Sequence, residues 1–216
     1  VLGEMDFFGY GIGASFEKSY ASILDRLTKH AVRMQLPIGA EGDFDGVIDL
    51  LTMKAYTFSG SMGEIVEEGE VPAQYLDEAK KYRAEFVERI VENDDAAMTA
   101  FLDGNEPSID ELKVILRKAV IANAIFPVYT GSALKNKGVQ LVLDAVVDYL
   151  PCPTDMPPIT GIDPRTGEVV TRRAADDEPF VALAFKLQAD PFVGQLTFFR
   201  VYSGTVESGS YLYNST

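Results

Sequence analysis

The residues best suited to chemistry lie between Thr130 and Lys137, in the run Phe126-Pro-Val-Tyr-Thr-Gly-Ser-Ala-Leu-Lys-Asn-Lys-Gly-Val-Gln-Leu. Gly131-Ser-Ala-Leu-Lys135 offers backbone N–H groups and one hydroxyl, but no acid, base or activated nucleophile. Such a set holds a ligand rather than transforming it. Asp43-Phe-Asp-Gly46 has the Asp-x-x-Gly spacing of a loop that orders Mg²⁺ beside a terminal phosphate. That pattern is short enough to arise by chance, and its neighbours, Gly42 and Val47-Ile-Asp, read as a turn feeding a strand. His30 is the single histidine. No nucleophile or second ligand stands at a recognisable spacing from it, so it reads as a helix-end residue. Asp176-Asp-Glu178 is the close carboxylate cluster that an acid/base hydrolase would need, but adjacent positions read as the solvated start of a strand.

The elements that would position the loop are legible around it. Ala124 to Tyr129 is an apolar run of strand length. Val139, Val142, Leu143, Val146, Val147 and Leu150 recur at the spacing of one buried helix face, and Pro151 ends the pattern. Strand, loop and helix make half of a βαβ unit, and ligands of open α/β sheets sit where the chain leaves a strand's carboxyl end. An ordinary strand-to-helix connection has the same spacing, so these residues alone leave both readings open.

The wider pattern narrows the choice. Ser132-Ala-Leu, followed by Lys135-Asn-Lys-Gly-Val and a helix ending Asp148-Tyr-Leu-Pro-Cys-Pro, resembles the last guanine-contacting motif of translational GTPases, most closely the elongation factor G family. The resemblance continues through Gln35-Leu-Pro-Ile-Gly-Ala-Glu, Gly46-Val-Ile-Asp-Leu, Asp176-Asp-Glu-Pro-Phe and Asp190-Pro-Phe-Val-Gly-Gln-Leu-Thr-Phe-Phe-Arg-Val-Tyr-Ser-Gly204. It implies guanine contacts from Ser132, Ala133 and Leu134. It also implies one from Asp6, although Gly3-Glu-Met-Asp6 departs at its first two positions from the family's Asn-Lys-Met-Asp. Asp6 also stands farther from Gly13 than the family spacing, and an ungapped reading puts Tyr10 in its place.

The resemblance implies an α/β fold: a partial GTPase domain with an α+β insert, followed by the first strands of an all-β barrel domain. Residues 1–13 are an irregular N-terminus. Residues 14–36 and 123–150 form the C-terminal part of the GTPase domain, with the insert at 37–122. A Pro-rich linker covers 151–177, and 178–216 open the barrel. In the family the insert engages the stalk protein of the large ribosomal subunit and the barrel rests on small-subunit RNA. GTP or GDP and Mg²⁺ are the intact parent's ligands, none of which this piece is expected to retain, and in the parent GTP hydrolysis is coupled to movement of tRNA and mRNA through the ribosome.

Composition sets the bounds. A chain of 216 residues, nearly half hydrophobic, can bury a real core in one or two domains. A formal charge of −14 disfavours unspecific attachment to DNA or an anionic membrane. A lone Cys152 between prolines permits no internal disulfide, and no segment has the length of a membrane span. A reducing, cytoplasmic setting is the expectation.

The remaining segments follow in order. Phe16, Tyr20, Ile23, Leu24 and Leu27 predict one helix face, and Val32 to Leu36 a short strand ending at Pro37. Gly46 to Phe58 reads as strands with a turn, and Ser59 to Gly69 as an exposed acidic loop. Pro72 opens a helix with a buried stripe of Leu76, Ala79, Tyr82, Phe86 and Ile90. A short helix spans Ala96 to Leu102, and Ser108-Ile-Asp-Glu111 is a capping box for another. The acidic surplus between Glu64 and Glu111 is a solvated face that can also serve as a docking face. Prolines from Pro151 to Pro158 predict an extended linker. Beyond Glu178 the period becomes two, predicting strands at Phe180 to Leu187, Gly194 to Tyr202 and Gly204 to Tyr213. Alternation there predicts one inward face, so Phe198, Phe199 and Tyr202 read as core before they read as a base-stacking platform.

The sequence has no Gly-x-x-x-x-Gly-Lys-Ser/Thr cradle and no Gly-Lys pair. Phosphoryl transfer depends on such positioning and charge. In the family those parts precede the position where this sequence begins, so the expectation is an internal piece of a GTPase that is not catalytic alone. Fragments of a release factor 3 or a ribosomal-protection GTPase are the nearest alternatives. A free-standing acidic protein-interaction module is an alternative of another class.

Overall fold

The structure is a computed structural model, which describes residues 15–215. Asp6, and residues 1–13 that were expected to be irregular, lie outside the described residues. The fold is mixed α/β with several small sheets, and the chain divides after Leu150 into two compact units.

The first unit begins with helix α1 (Phe16–Arg26). Ser15 caps it, its side chain accepting from the Lys18 N–H. The face expected from periodicity is half-buried, apart from Leu27, which is exposed. His30 lies beyond the helix in an exposed turn, and its N–H donates to Thr28 Oγ1.

The single strand expected over 32–36 is two strands, β1 (Ala31–Arg33) and β2 (Gln35–Ile38), which belong to different sheets. Met34, fully buried between them, is the pivot. Its N–H donates to Val128 in one sheet and its carbonyl accepts from Leu50 beside the other. Local pattern cannot show this, because both strands are apolar and contiguous. The chain continues through β3 (Gly46–Asp49), β4 (Lys54–Ser59) and β5 (Ile65–Glu70), giving an antiparallel sheet ordered β2-β3-β4-β5. Pro37 sits on its edge strand, the place in a sheet that tolerates a residue without an N–H.

β5 corrects the expected acidic loop. All six of its residues are exposed, so no apolar alternation marks it. It is a strand because its backbone pairs with β4, helped by Lys54 bonding to Glu70 and Tyr56 Oη donating to Glu68.

Helices α2 (Leu76–Val91), α3 (Asp95–Leu102) and α4 (Ile109–Ile121) follow. Pro72 precedes a 3-10 turn, Ala73–Tyr75, rather than standing in the helix itself. The Ser108–Glu111 capping box is present in both directions. Ala79, Phe86, Val87, Ile90 and Val91 of α2 meet Leu112, Ile115 and Leu116 of α4 in the main core, with Leu36, Ile48 and Ala55 from the sheet.

β6 (Phe126–Val128) pairs with β1 in parallel, Val32 opposite Pro127. Helix α5 (Val139–Tyr149) then closes the unit, but with a different face inward from the one expected. Ala145 and Tyr149 enter the main core, Val142 packs against it, and Leu141 packs on a second cluster of Phe44, Val47 and Phe58. Leu143, Val146, Val147 and Leu150 are exposed. The helix is apolar around most of its circumference, so periodicity could not choose; the sheet's second face did.

In the second unit the Pro-rich stretch is not simply extended. It holds a 3-10 turn, Pro153–Asp155, and a hairpin of β7 (Ile159–Ile162) with β8 (Val169–Arg172). β9 (Val181–Asp190) pairs antiparallel with β10 (Gly194–Ser203). No strand forms over 204–213, contrary to the alternation read there. Of the residues expected as core there, Phe198 and Phe199 are exposed and Tyr202 is half-buried. Among the described residues no hydrophobic core cluster includes a residue of β9 or β10, so the hairpin has no core for an alternating face to meet, and its register also shifts at Phe198/Phe199 and Val201/Ser203. Asp176 and Asp177 are in the turn before β9, and Glu178 pairs with Arg173 at 2.9 Å.

Candidate nucleotide-edge loop

The connection from β6 to α5 is a closed, internally bonded loop. Ser132 and Lys137 face each other as an antiparallel bridge, the Ser132 N–H donating to the Lys137 carbonyl at 2.8 Å and the Lys137 N–H returning to Ser132 at 2.9 Å. The Asn136 N–H donates to the Ala133 carbonyl, and the Lys135 N–H reaches Ser132 Oγ at 3.3 Å. Gly138 then enters α5 at φ 89°. A Cβ there would lie 3.0 Å from the Thr130 carbonyl oxygen, so glycine is what permits the neck of the loop to close.

The three contiguous residues expected to contact guanine therefore divide by role. Ser132 is 2% exposed, and its hydroxyl and N–H serve the loop itself. Ala133 and Leu134 form the outward tip, with Leu134 80% exposed. Within the loop the Ser132 hydroxyl and the N–H groups of Ser132, Lys135, Asn136 and Lys137 are engaged in internal bonds. What the tip presents is a fixed, mainly apolar ledge, suited to lie along a flat ring rather than to cradle phosphates.

Residues that local pattern did not mark position this loop. The Thr130 N–H donates to Gln35 Oε1 at 3.2 Å, tying the end of β6 to β2. Lys137 Nζ donates to the Phe44 carbonyl at 2.9 Å and lies 3.3 Å from Asp45 Oδ1. Gln140 Nε2 donates to the Gly63 carbonyl. Gln35 and Lys137 fall within the resembling stretches, yet their partners are 95 and 93 positions away, which spacing rules do not reach.

Tyr129 and Tyr149 are buried, and burial pushes both phenols well above their usual range, so they stay neutral. Burial also raises the Asp49 carboxyl, opposed by the Thr52 N–H and hydroxyl that donate to it. None of these groups lies on the outward tip. Among the described residues no three His, Cys, Asp or Glu side chains converge as a metal site, and no helix is long and apolar enough to cross a membrane. Asp43 and Asp45 occupy the 3-10 turn and the connection that open β3, the structural role expected for Asp43-Phe-Asp-Gly46.

No family model matches the chain. Its structure is similar to a crystal structure of a Thermus thermophilus protein designated ttk003000868, with a TM-score of 0.71 and 28% identity over 92% of this chain. The chain spans 27% of the length of that protein.

Proposed function

We propose that the chain carries the purine-edge part of a translational GTPase of the elongation factor G kind. In this reading residues 14–36 and 123–150 belong to the GTPase domain, residues 37–122 are its insert, and β9–β10 open a barrel domain. The observation that carries the reading is the β6–loop–α5 unit, whose bonded neck holds Ala133 and Leu134 outward at the carboxyl end of a parallel strand. The resemblance of Ser132-Ala-Leu and its flanking segments supplies the ligand class, guanine nucleotide.

The residues fit one half of such a ligand. Ala133 and Leu134 would lie against the purine while Ser132 holds their backbone in place. The other half, polyphosphate with Mg²⁺, has no counterpart in this sequence, which lacks the Gly-x-x-x-x-Gly-Lys-Ser/Thr cradle. No hydrolytic step is assigned to these residues, and the chain is proposed to be inactive alone. Ribosome binding, with the stalk protein at the insert and small-subunit RNA at the barrel, is proposed for the intact parent, acting in the cytoplasm.

Nuclear magnetic resonance of the full chain titrated with GDP, and with ADP as control, tests this. The expected result is a weak perturbation by excess GDP, and not by ADP, confined to residues 130–138, since the sequence lacks the phosphate cradle that would retain the nucleotide. Equal responses to both nucleotides, no response, or unaided turnover of GTP would overturn the reading. Stalk-protein binding by residues 72–122 would favour this reading over a free-standing acidic interaction module.

A further inference from the structure

The β6–α5 loop is gripped from outside by the four-stranded sheet. Lys137 Nζ reaches the Phe44 carbonyl and Asp45 at the turn that opens β3. On the other side of the loop, Gln140 bonds to Gly63 in the β4–β5 turn. Gly63 approaches so closely that a Cβ there would fall 2.5 Å from the Lys135 carbonyl oxygen. These contacts bracket the loop between two turns of the same sheet.

Lys137 is the informative member. Only 20% of its side chain is exposed. A lysine with no task keeps its ammonium in water on a flexible stem; this one gives up much of its solvent for a carbonyl and a carboxylate, which is a directional arrangement. Its backbone is also half of the bridge that closes the loop's neck. A restraint on the side chain thus acts on the same residue that holds Ser132, and through Ser132 the outward pair.

We propose that Lys137 is a positioning residue through which the four-stranded sheet sets the shape of the purine-edge loop. The word purine rests on the functional reading above; the mechanical coupling does not. The loop's own turns leave it closed but free to tilt, and the Lys137 tether to Phe44 fixes that tilt.

Amide hydrogen exchange on the full chain tests the coupling, using Lys137→Met, which keeps the stem and removes the ammonium, and Lys137→Arg. In the Met variant the amides of Ser132, Lys135 and Asn136 are expected to exchange at least about tenfold faster, the scale of one charge-assisted bond. Amides of α4 keep their protection, Arg restores part of the loop's, and Gly63→Ala disturbs the same loop amides from the sheet side. Unchanged loop exchange in the Met variant, or acceleration spread evenly through the unit, would overturn the proposal. Adding GDP separates the two readings. If GDP perturbs no loop amide in the wild type while Lys137→Met still loosens the loop, the guanine reading fails and the positioning role stands.

Discussion

The guanidinium of Arg33 stacks on the ring of Tyr82, 3.8 Å from its centroid, and so joins β1 to α2. Both terminal nitrogens of the same group bond to the Glu17 carboxylate, at 2.7 and 2.8 Å, which adds α1 to the joint. Phe16 and Tyr20 lie against the cation as well. Arg33 is 8% exposed, so its charge depends on these partners rather than on water.

Arg33→Ala is therefore expected to destabilise the chain by about 2–4 kcal/mol, through a lost bidentate pair and lost stacking together. Glu17 is more exposed, and solvent can replace part of its bond. Glu17→Ala is expected to cost only about 1 kcal/mol. Arg33→Lys recovers little, since an ammonium cannot bond in a fork and stack at once. Urea denaturation of the three variants checks the ranking, and an equal cost for Arg33→Ala and Glu17→Ala would contradict it.

Leu112 lies in both the observed core and the one that helical periodicity suggests, whereas Val147 separates them. Leu112 is fully buried between α2, α4 and the sheet, so Leu112→Ala is expected to cost about 2–5 kcal/mol. Val147 is 78% exposed on α5, and Val147→Asn is expected to change stability by no more than about 0.5 kcal/mol. Thermal melts distinguish them directly. A large cost at Val147 would mean that α5 turns another face inward.

Glu111 links the capping box to pH. Bonds from the Ser108 hydroxyl and N–H hold its carboxyl below the ordinary range. A depressed carboxylate contributes stability above its unfolded pKa, about 4.3, and that contribution is lost as pH falls through the lower folded value. Glu111→Gln should thus be less stable than the wild type at neutral pH, and the gap should close in acid. A gap constant from pH 7 to pH 2 would dissociate the charge from the cap.

Asp49 has the opposite sign. Burial raises its carboxyl in the folded state, only partly opposed by Thr52 and Arg83. The ionised form therefore burdens the fold above the folded pKa, and the burden lifts as pH falls toward the unfolded value near 3.9. Relative to Asp49→Asn, the wild type is expected to gain stability on acidification through that window. Denaturant midpoints of both proteins, measured across mildly acidic pH, read the sign.

Local rules reached far into the fold. Ser15 was not needed to foresee α1, because Phe16, Tyr20, Ile23 and Leu24 already mark its face, and Ser108 with Glu111 announced the start of α4. The loop between β6 and α5 was legible as a strand-to-helix connection because an apolar run, a Gly-Ser segment and a helix-length apolar stretch ended by Pro151 succeed one another. These features depend on neighbours a few positions apart, where backbone sterics and side-chain spacing decide the outcome.

Contacts distant in sequence decided the rest. Val32 and Leu36 look like one strand, and only Met34, bonding to Val128 on one side and Leu50 on the other, separates them into two sheets. β5 opens with Ile65 and Val66 but has no apolar alternation, and it exists through its pairing with β4. The inward face of α5 was chosen by Phe44, Val47 and Phe58 meeting Leu141, since the helix is apolar on several sides and its own period is silent. In the loop, the sequence alone determined which residue types could meet a ligand. That Ser132 turns inward while Leu134 faces out was settled by the bridge to Lys137 and its tether to Phe44, bonds whose free energy depends on groups brought together only by the folded chain.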